Sequence, residues 1–357
     1  MVKNCLISER YLDDGNSIIS LTDFQNECIK KFNNDARIKY KELRKCPLCE
    51  YLNFTLIAKK DHYGFSVDTV VCDRCGLIFS LKQMTDESIA IFYSEYYRGI
   101  YEGTVKPQRQ HYSEYLRHKK IPKFLGKDSV IVEIGTGAGR NLLKYKKNNL
   151  KHYGFDFDEE YIDFGKKTFG LNLYVGGIDR AQSLGIKADY IILTHVLEHT
   201  NDPIKFLTDI KRIMNDKAIL NIYVPCRSLL LTGGGGTGFD LLGTLQNAHN
   251  FLFDEFTLKY MALAAGYRYS CVLGGHIVMS KNRFGIGNAG EIENMLKDRK
   301  RGNKVINFLI FCEKMVPLKN KIIPLRLRSH LHSLYYLFKP FEMLKMYLVF
   351  RRGMFLY

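Results

Sequence analysis

Residues 129–225 constrain the fold more than any other part of this 357-residue chain, because apolar runs and amphipathic runs alternate there in strict succession. Residues 129–135 (SVIVEIG) read as a buried strand, 139–147 as a helix, 152–158 (HYGFDFD) as a second strand and 159–167 as a second helix. A third strand at 171–177, a fourth at 189–196, an amphipathic helix at 202–214 and a fifth strand at 218–225 continue the pattern. Such alternation implies a parallel sheet with helices on both faces. Ligands of open parallel sheets bind beyond the carboxyl ends of the strands.

The first strand runs directly into Glu133-Ile-Gly135-Thr-Gly137-Ala-Gly139. Glycines at alternate positions let the backbone turn tightly and approach a ligand at a helix N-terminus. The spacing G-x-G-x-G, with an acid two residues ahead, differs from the dinucleotide pattern G-x-G-x-x-G. Asp156 closes the second strand, 23 residues after Glu133, where a carboxylate can bind a ribose hydroxyl pair. A plain tight turn is the alternative; strand before, helix after and acid at the next strand end favour a ligand loop.

Over residues 125–281 the successive motifs EIGTGAGR, GFDFDEEYIDFGKK and LTHVLEHTNDPIKFLTDIKRIMNDKAILNIYVP resemble those of class I S-adenosylmethionine (SAM) methyltransferases. The resemblance implies a Rossmann-like seven-stranded sheet with helices on both faces. It also implies that Gly135 and Gly137 hold the methionine end of the cofactor and Asp156 its ribose, with Glu133 acting indirectly on the methionine amino group. Gly139 and Thr194 complete the expected cofactor set. Asp179, shortly after the third strand, is the candidate adenine contact, with an ordinary loop aspartate as the alternative.

Ahead of this domain, Cys46-x2-Cys49 and Cys72-x2-Cys75 are separated by 22 residues. Two such knuckles can close into a tetrahedral four-thiolate zinc site, which has no open position and is structural. Redox C-x-x-C motifs do not usually come in pairs, and neither pair opens an evident helix. Cys5, Cys28, Cys226, Cys271 and Cys312 read as ordinary thiols of a reducing compartment. A zinc module in front of a methyltransferase domain is similar in organisation to the deoxysugar C-methyltransferases.

The expected division is a helical segment at 1–45, the zinc module at 46–80, a helical linker or lid at 81–124, the methyltransferase domain at 125–285 and a basic helical region at 286–357. Residues 20–44 read as a helix opened by Thr22 or Asp23, and 86–120 as two helices rich in Tyr. Tyr93, Tyr96, Tyr97 and Tyr101 suit core packing, with a substrate lid as the alternative. Residues 226–250 form a long insertion containing the run LTGGGGTGF.

Net charge is +16, but from Lys297 to Tyr357 there are 14 Lys and Arg against Asp298, Glu313 and Glu342. The polyanion signal therefore belongs to the tail. Residues 320–357 interleave aromatic, aliphatic and basic side chains, as an interfacial helix pair on an anionic membrane would; a solvated helical cap is the alternative. With no secretory signal and no apolar run of roughly 18 residues, the expected location is the cytoplasm, with peripheral contact at the inner face of the membrane.

Chemistry on the acceptor is expected at the tip of the fourth strand, where His195, Glu198 and His199 lie, and at His249 in LQNAHNFLF. In the zinc-headed relatives a Glu-His pair occupies the latter region; here Ala248 replaces the acid. A lone His near neutral pKa suits removal of a hydroxyl proton better than removal of a carbon-bound one. The expected function is methyl transfer from SAM to a small molecule, a sugar nucleotide or a glycan intermediate of surface polysaccharide biosynthesis, with O-methylation slightly ahead of C-methylation. An RNA methyltransferase and a non-catalytic SAM-binding module are the alternatives. Against the first, the fourth strand lacks the N-P-P-Y type box that holds an exocyclic amine.

Overall fold

The structure, a computed structural model, describes residues 2–104, 121–228, 230, 239–282, 289–298 and 300–317. The basic tail at 320–357, the glycine run at 231–238 and the end of the Tyr-rich segment at 105–120 lie outside the described residues.

The N-terminal region contains β1 (Val2–Asn4), α1 (Asp23–Asn33), β2 (Tyr40–Glu42), β3 (Phe54–Lys60), β4 (Ser66–Cys72), β5 (Ile78–Ser80), β6 (Lys82–Met84) and α2 (Asp86–Ile91). Helix α1 opens where expected: Thr22 accepts the Gln25 N–H and the Gln25 side chain returns to the Thr22 backbone, a reciprocal capping box. It stops at Asn33 instead of continuing to 44, because Asp35 takes the Arg37 N–H at 2.9 Å and turns the chain into β2. After α2 the chain winds into two wide π-type turns, Phe92–Tyr96 and Arg98–Glu102. Tyrosines four apart stack along them, with ring centroids 4.9 Å apart for Tyr93–Tyr97 and 5.0 Å for Tyr97–Tyr101.

The larger region contains β7 (Val130–Ile134), α3 (Leu143–Lys147), β8 (Lys151–Asp156), α4 (Glu159–Phe169), β9 (Leu173–Val175), α5 (Ile178–Ser183), β10 (Ala188–Thr194), α6 (Pro203–Ile210) and β11 (Met214–Tyr223). Beyond it come β12 (Phe251–Leu252), α7 (Glu255–Ala264), β13 (Arg268–Leu273), β14 (His276–Ser280), α8 (Ala289–Met295) and α9 (Arg301–Met315). The seven-stranded sheet has the order β13-β14-β11-β10-β7-β8-β9. Strands β7 to β11 run parallel, and β14 lies antiparallel between β11 and β13. Strand order reverses between β7 and β10, the switch point at which an open α/β sheet offers its crevice.

Strand β12 belongs to a different sheet. It pairs antiparallel with β5 (Phe251↔Phe79, Leu252↔Ile78) and completes the N-terminal order β1-β3-β4-β5-β12. Helix α9 also packs on this layer: Val305, Ile306, Leu309 and Cys312 are buried with Ile57, Val71 and Ile78. The N-terminal layer thus takes its last strand from the stretch between β11 and β13, and a covering helix from beyond the large sheet.

Candidate functional site

The two cysteine pairs meet. Cys46 and Cys75 Sγ are 3.6 Å apart, Cys49 and Cys72 Sγ 3.5 Å, and all four lie within 4.8 Å of one another and are buried. Ligands at about 2.3 Å around a tetrahedral ion would stand roughly 3.8 Å apart, so the cluster fits a four-thiolate zinc ion. The knuckles are built alike. The N–H of Glu50 reaches Cys46 O at 2.9 Å, and that of Gly76 reaches Cys72 O at 2.9 Å. Both residues turn through positive φ, 58° and 73°; only Gly76 does so without a Cβ penalty.

At the switch point the Gly135 and Thr136 N–H groups donate to Phe155 O at 2.8 and 3.1 Å, fastening the glycine loop to β8. Gly135 has φ of +71°, and a Cβ there would stand 2.4 Å from Val196 Cγ2, so only glycine fits. Asp156 accepts from Gly137 N at 2.7 Å and from Asp158 N at 3.0 Å. Burial raises its pKa despite those bonds and the nearby Arg98. Glu133 is enclosed, accepting from Thr136 Oγ1 at 2.8 Å and Asn141 Nδ2 at 2.7 Å, and burial pushes it up to about 7. Asn141 also reaches Thr194 Oγ1 at 3.4 Å, which ties β10 into the same network. Gly139, at φ +82°, leads into the helical turn before α3.

Arg98 arrives from the N-terminal region. Its Nε donates to Asp158 at 3.3 Å, and its guanidinium lies 3.7 Å from the Tyr161 ring centroid. It is the nearest group to the open face of Gly137, 3.8 Å from where a Cβ would stand. The expectation for Asp179 fares differently. On α5 its side chain is 88% exposed and ion-paired with Arg212 at 2.8 Å.

His195, Glu198, His199 and His249 come together. His195 follows β10 directly in the left-handed region at φ 54°, a conformation uncommon without glycine, and its Nδ1 is 3.2 Å from Glu198 Oε1. Glu198 is fully buried, and its Oε2 has no hydrogen-bond partner. His199 donates from Nδ1 to Ala248 O at 2.8 Å, and its Nε2 lies 3.9 Å from Glu198 Oε1. The His199 and His249 ring centroids are 4.8 Å apart. Burial pushes both imidazoles below their ordinary pKa, His249 well below, so both are neutral at pH 7. Tyr93 presents its ring edge to His199 at 5.7 Å, and its own buried hydroxyl has no partner.

The loop carrying His249 is held from both sides. Asp61 accepts from Asn247 N at 2.7 Å, the Tyr101 hydroxyl accepts from Ala248 N at 3.2 Å, and Ser80 N donates to Asn250 O at 2.9 Å. From the large sheet, Asn250 Nδ2 donates to His199 O and Thr200 O at 3.2 and 3.1 Å. Asp61, Arg98 and Asn141 were not foreseen from the sequence. Asp61 and Arg98 have no spacing signature, whereas Asn141, two residues beyond the last loop glycine, could have been suspected.

Residues 108–272, under half of the chain, match a family model described as "Methyltransferase domain". With the strand order above, this gives the mixed α/β methyltransferase fold. Among solved structures the chain is similar to the CurJ carbon methyltransferase (18% identity, TM-score 0.35, covering 45% of this chain and 50% of that one). It is also similar to a SAM-dependent methyltransferase from Methanosarcina mazei (15%, TM-score 0.34, 44% and 94%). A third is CalO1, a methyltransferase in calicheamicin biosynthesis, in its SAH bound form (17%, TM-score 0.35, 48% and 54%). The chain spans about half the length of the first of these. No curated protein sequence matches it. Among the described residues no helix is long and apolar enough to cross a membrane.

Proposed function

We propose that this chain is a SAM-dependent methyltransferase that methylates a hydroxyl of a small-molecule acceptor, a sugar nucleotide or glycan intermediate. The observation that carries the reading is the juxtaposition at the carboxyl edge of one sheet. The glycine loop with Asp156 stands at the ends of β7 and β8, and the Glu198 and histidine cluster stands beside it at the end of β10. Bound SAM would supply a methyl group on a sulfonium already activated toward nucleophiles. Asp156 has free lone pairs for a ribose hydroxyl pair beyond its two backbone bonds, and Gly137 leaves its face open to the cleft.

Oxygen is favoured over carbon as the methylated atom because Ala248 stands where the zinc-headed family carries the acid of its Glu-His pair. Removal of a carbon-bound proton needs a stronger base than removal of a hydroxyl proton during transfer. The sugar class of acceptor rests on the order of the modules, a zinc-type knuckle pair ahead of the methyltransferase fold. We assign the basic tail at 320–357 to an anionic membrane surface in the cytoplasm; failure of the purified protein to sediment with anionic vesicles at low salt would remove that assignment.

Calorimetry with SAM and S-adenosylhomocysteine tests the core of the reading. Micromolar binding by metal-replete protein, lost in Asp156→Ala and Gly137→Arg, is the expected result. Absence of binding by well-folded protein overturns it. Transfer of labelled methyl to sugar nucleotides and to RNA, run side by side, then decides the acceptor class.

A further inference from the structure

We infer that Glu198, His199 and His249 form a second metal site, for a divalent transition ion, separate from the four cysteines. One ligand atom from each of the three lies within 4.8 Å of the others. The tautomer of His199 follows from its partner. A carbonyl only accepts, so the contact with Ala248 O at 2.8 Å places the proton on Nδ1 and leaves the lone pair on Nε2. That lone pair faces the Glu198 carboxylate at 3.9 Å. Glu198 Oε1 stands 3.2 Å from His195 Nδ1, but the His199 Nε2 lone pair gains no hydrogen from the carboxylate, and a cation between them would satisfy both.

A second observation points the same way. Glu198 is 0% exposed, yet Oε2 has no hydrogen-bond partner. Buried polar atoms are almost always satisfied, and an orphaned carboxylate oxygen calls for a functional group or an ion. The backbone carbonyl holding His199 Nδ1–H is the partner that metal-bound imidazoles use to fix their ring. Ligands at about 2.1 Å stand roughly 3 to 3.5 Å apart, so the cluster needs a contraction of about an ångström.

Two imidazole nitrogens and a carboxylate oxygen suit Mn²⁺, Fe²⁺, Co²⁺, Ni²⁺ or Zn²⁺, whereas four thiolates select zinc. The two sites therefore sort their ions by ligand softness. His195, whose side chain is 50% exposed, steadies the Glu198 carboxylate at the mouth. An ion held here would keep positions open and lower the pKa of a hydroxyl presented to it. That use of the ion rests on the methyl-transfer reading; its binding does not.

The probe is Mn²⁺ added to full-length protein carrying one zinc per chain. The expected result is one Mn²⁺ bound per chain, with electron spin-echo modulation from two imidazole nitrogens. Glu198→Gln and His249→Ala should each weaken binding at least tenfold, and His249→Asp, which restores a ligand, should recover part of it. Absence of Mn²⁺ uptake, or a bound ion without imidazole modulation in the wild-type protein, overturns the site, as does unchanged affinity in the variants. SAM binding measured without Mn²⁺ separates this failure from failure of the cofactor reading.

Discussion

Removing the ion from the four-cysteine cluster should disorder the histidine loop and leave the glycine loop intact. The second knuckle, 72–76, is followed within two residues by β5, and β5 is the strand that β12 joins. Four hydrogen bonds depend on that knuckle: Gly76 N to Cys72 O, Cys72 N to Leu77 O, Gly302 N to Asp73 O, and Arg301 Nε to Cys75 O. At about 1 kcal/mol net each, they sum to about 4 kcal/mol, beneath the roughly 10–16 kcal/mol that a structural zinc contributes in isolated fingers. Four kcal/mol corresponds to roughly a thousandfold faster local opening. Hydrogen exchange read by mass spectrometry, on chelated protein and on Cys72→Ser, measures this directly. Peptides spanning 70–80, 246–253 and 301–315 should lose protection by that factor, while 130–142 and 151–158 keep theirs. Protection at 246–253 unchanged by metal loss would refute the coupling, and a uniform loss everywhere would refute the separateness of the two layers.

Three further outcomes follow from the same packing. Asp254 is buried, bonded to Arg227 at 2.8 Å and to Arg301, and caps α7 through Thr257 N; Asp254→Ala should cost about 3–5 kcal/mol from two stranded guanidinium groups, read as a fall in urea midpoint. A Cβ on Gly302 would meet Asp73 Cα at 2.5 Å and Asp73 O at 2.6 Å, so Gly302→Ala should cost about 1–3 kcal/mol, with zinc content still one per chain. Burial pushes His276 down to about 4, below the unfolded value of about 6.5, so its neutral form favours folding above pH 6.5 and that contribution is lost as pH falls toward 4. Urea midpoints at pH 7.5, 5.5 and 4.5 should therefore fall less steeply for His276→Gln than for the wild type.

What could be read in the sequence was written in short-range spacing. The alternate glycines, the acid at the end of β8 and the two C-x2-C pairs each place chemistry within a turn or a strand end, where local geometry is fixed by the residues themselves. The large sheet was legible for the same reason, since its strands are buried apolar runs bounded by helices. The pairing of β12 was not: two residues, Phe251 and Leu252, carry no periodicity, and their strand exists only because β5 offers an edge. Asp61 reads as an ordinary loop aspartate, yet it accepts three backbone N–H groups, from Tyr63, Phe65 and Asn247. Asp179 has a partner that spacing does not reveal. Spacing put it beside the third strand, but a nearby guanidinium on the next helical layer claims its carboxylate.

The histidine loop links the four-cysteine layer to the large sheet. His199 lies on the helical turn that follows β10 and His249 on the loop ahead of β12, and the two rings meet where residues 247–250 are pinned between layers. Asp61, Tyr101 and Ser80 pull on that loop from the N-terminal side. His199 and Asn250 tie it to the end of β10. The end of β10 alone would supply His195, Glu198 and His199 without His249, and the N-terminal layer alone would hold a strand edge without β12. An ion on the four cysteines, closed to substrate, would stiffen the knuckle from which β5 springs and so fix the edge on which β12 docks. On the proposed reading its contribution would be one of position: it would set where His249 stands relative to Glu198, and through that distance whether the cluster could act as one site.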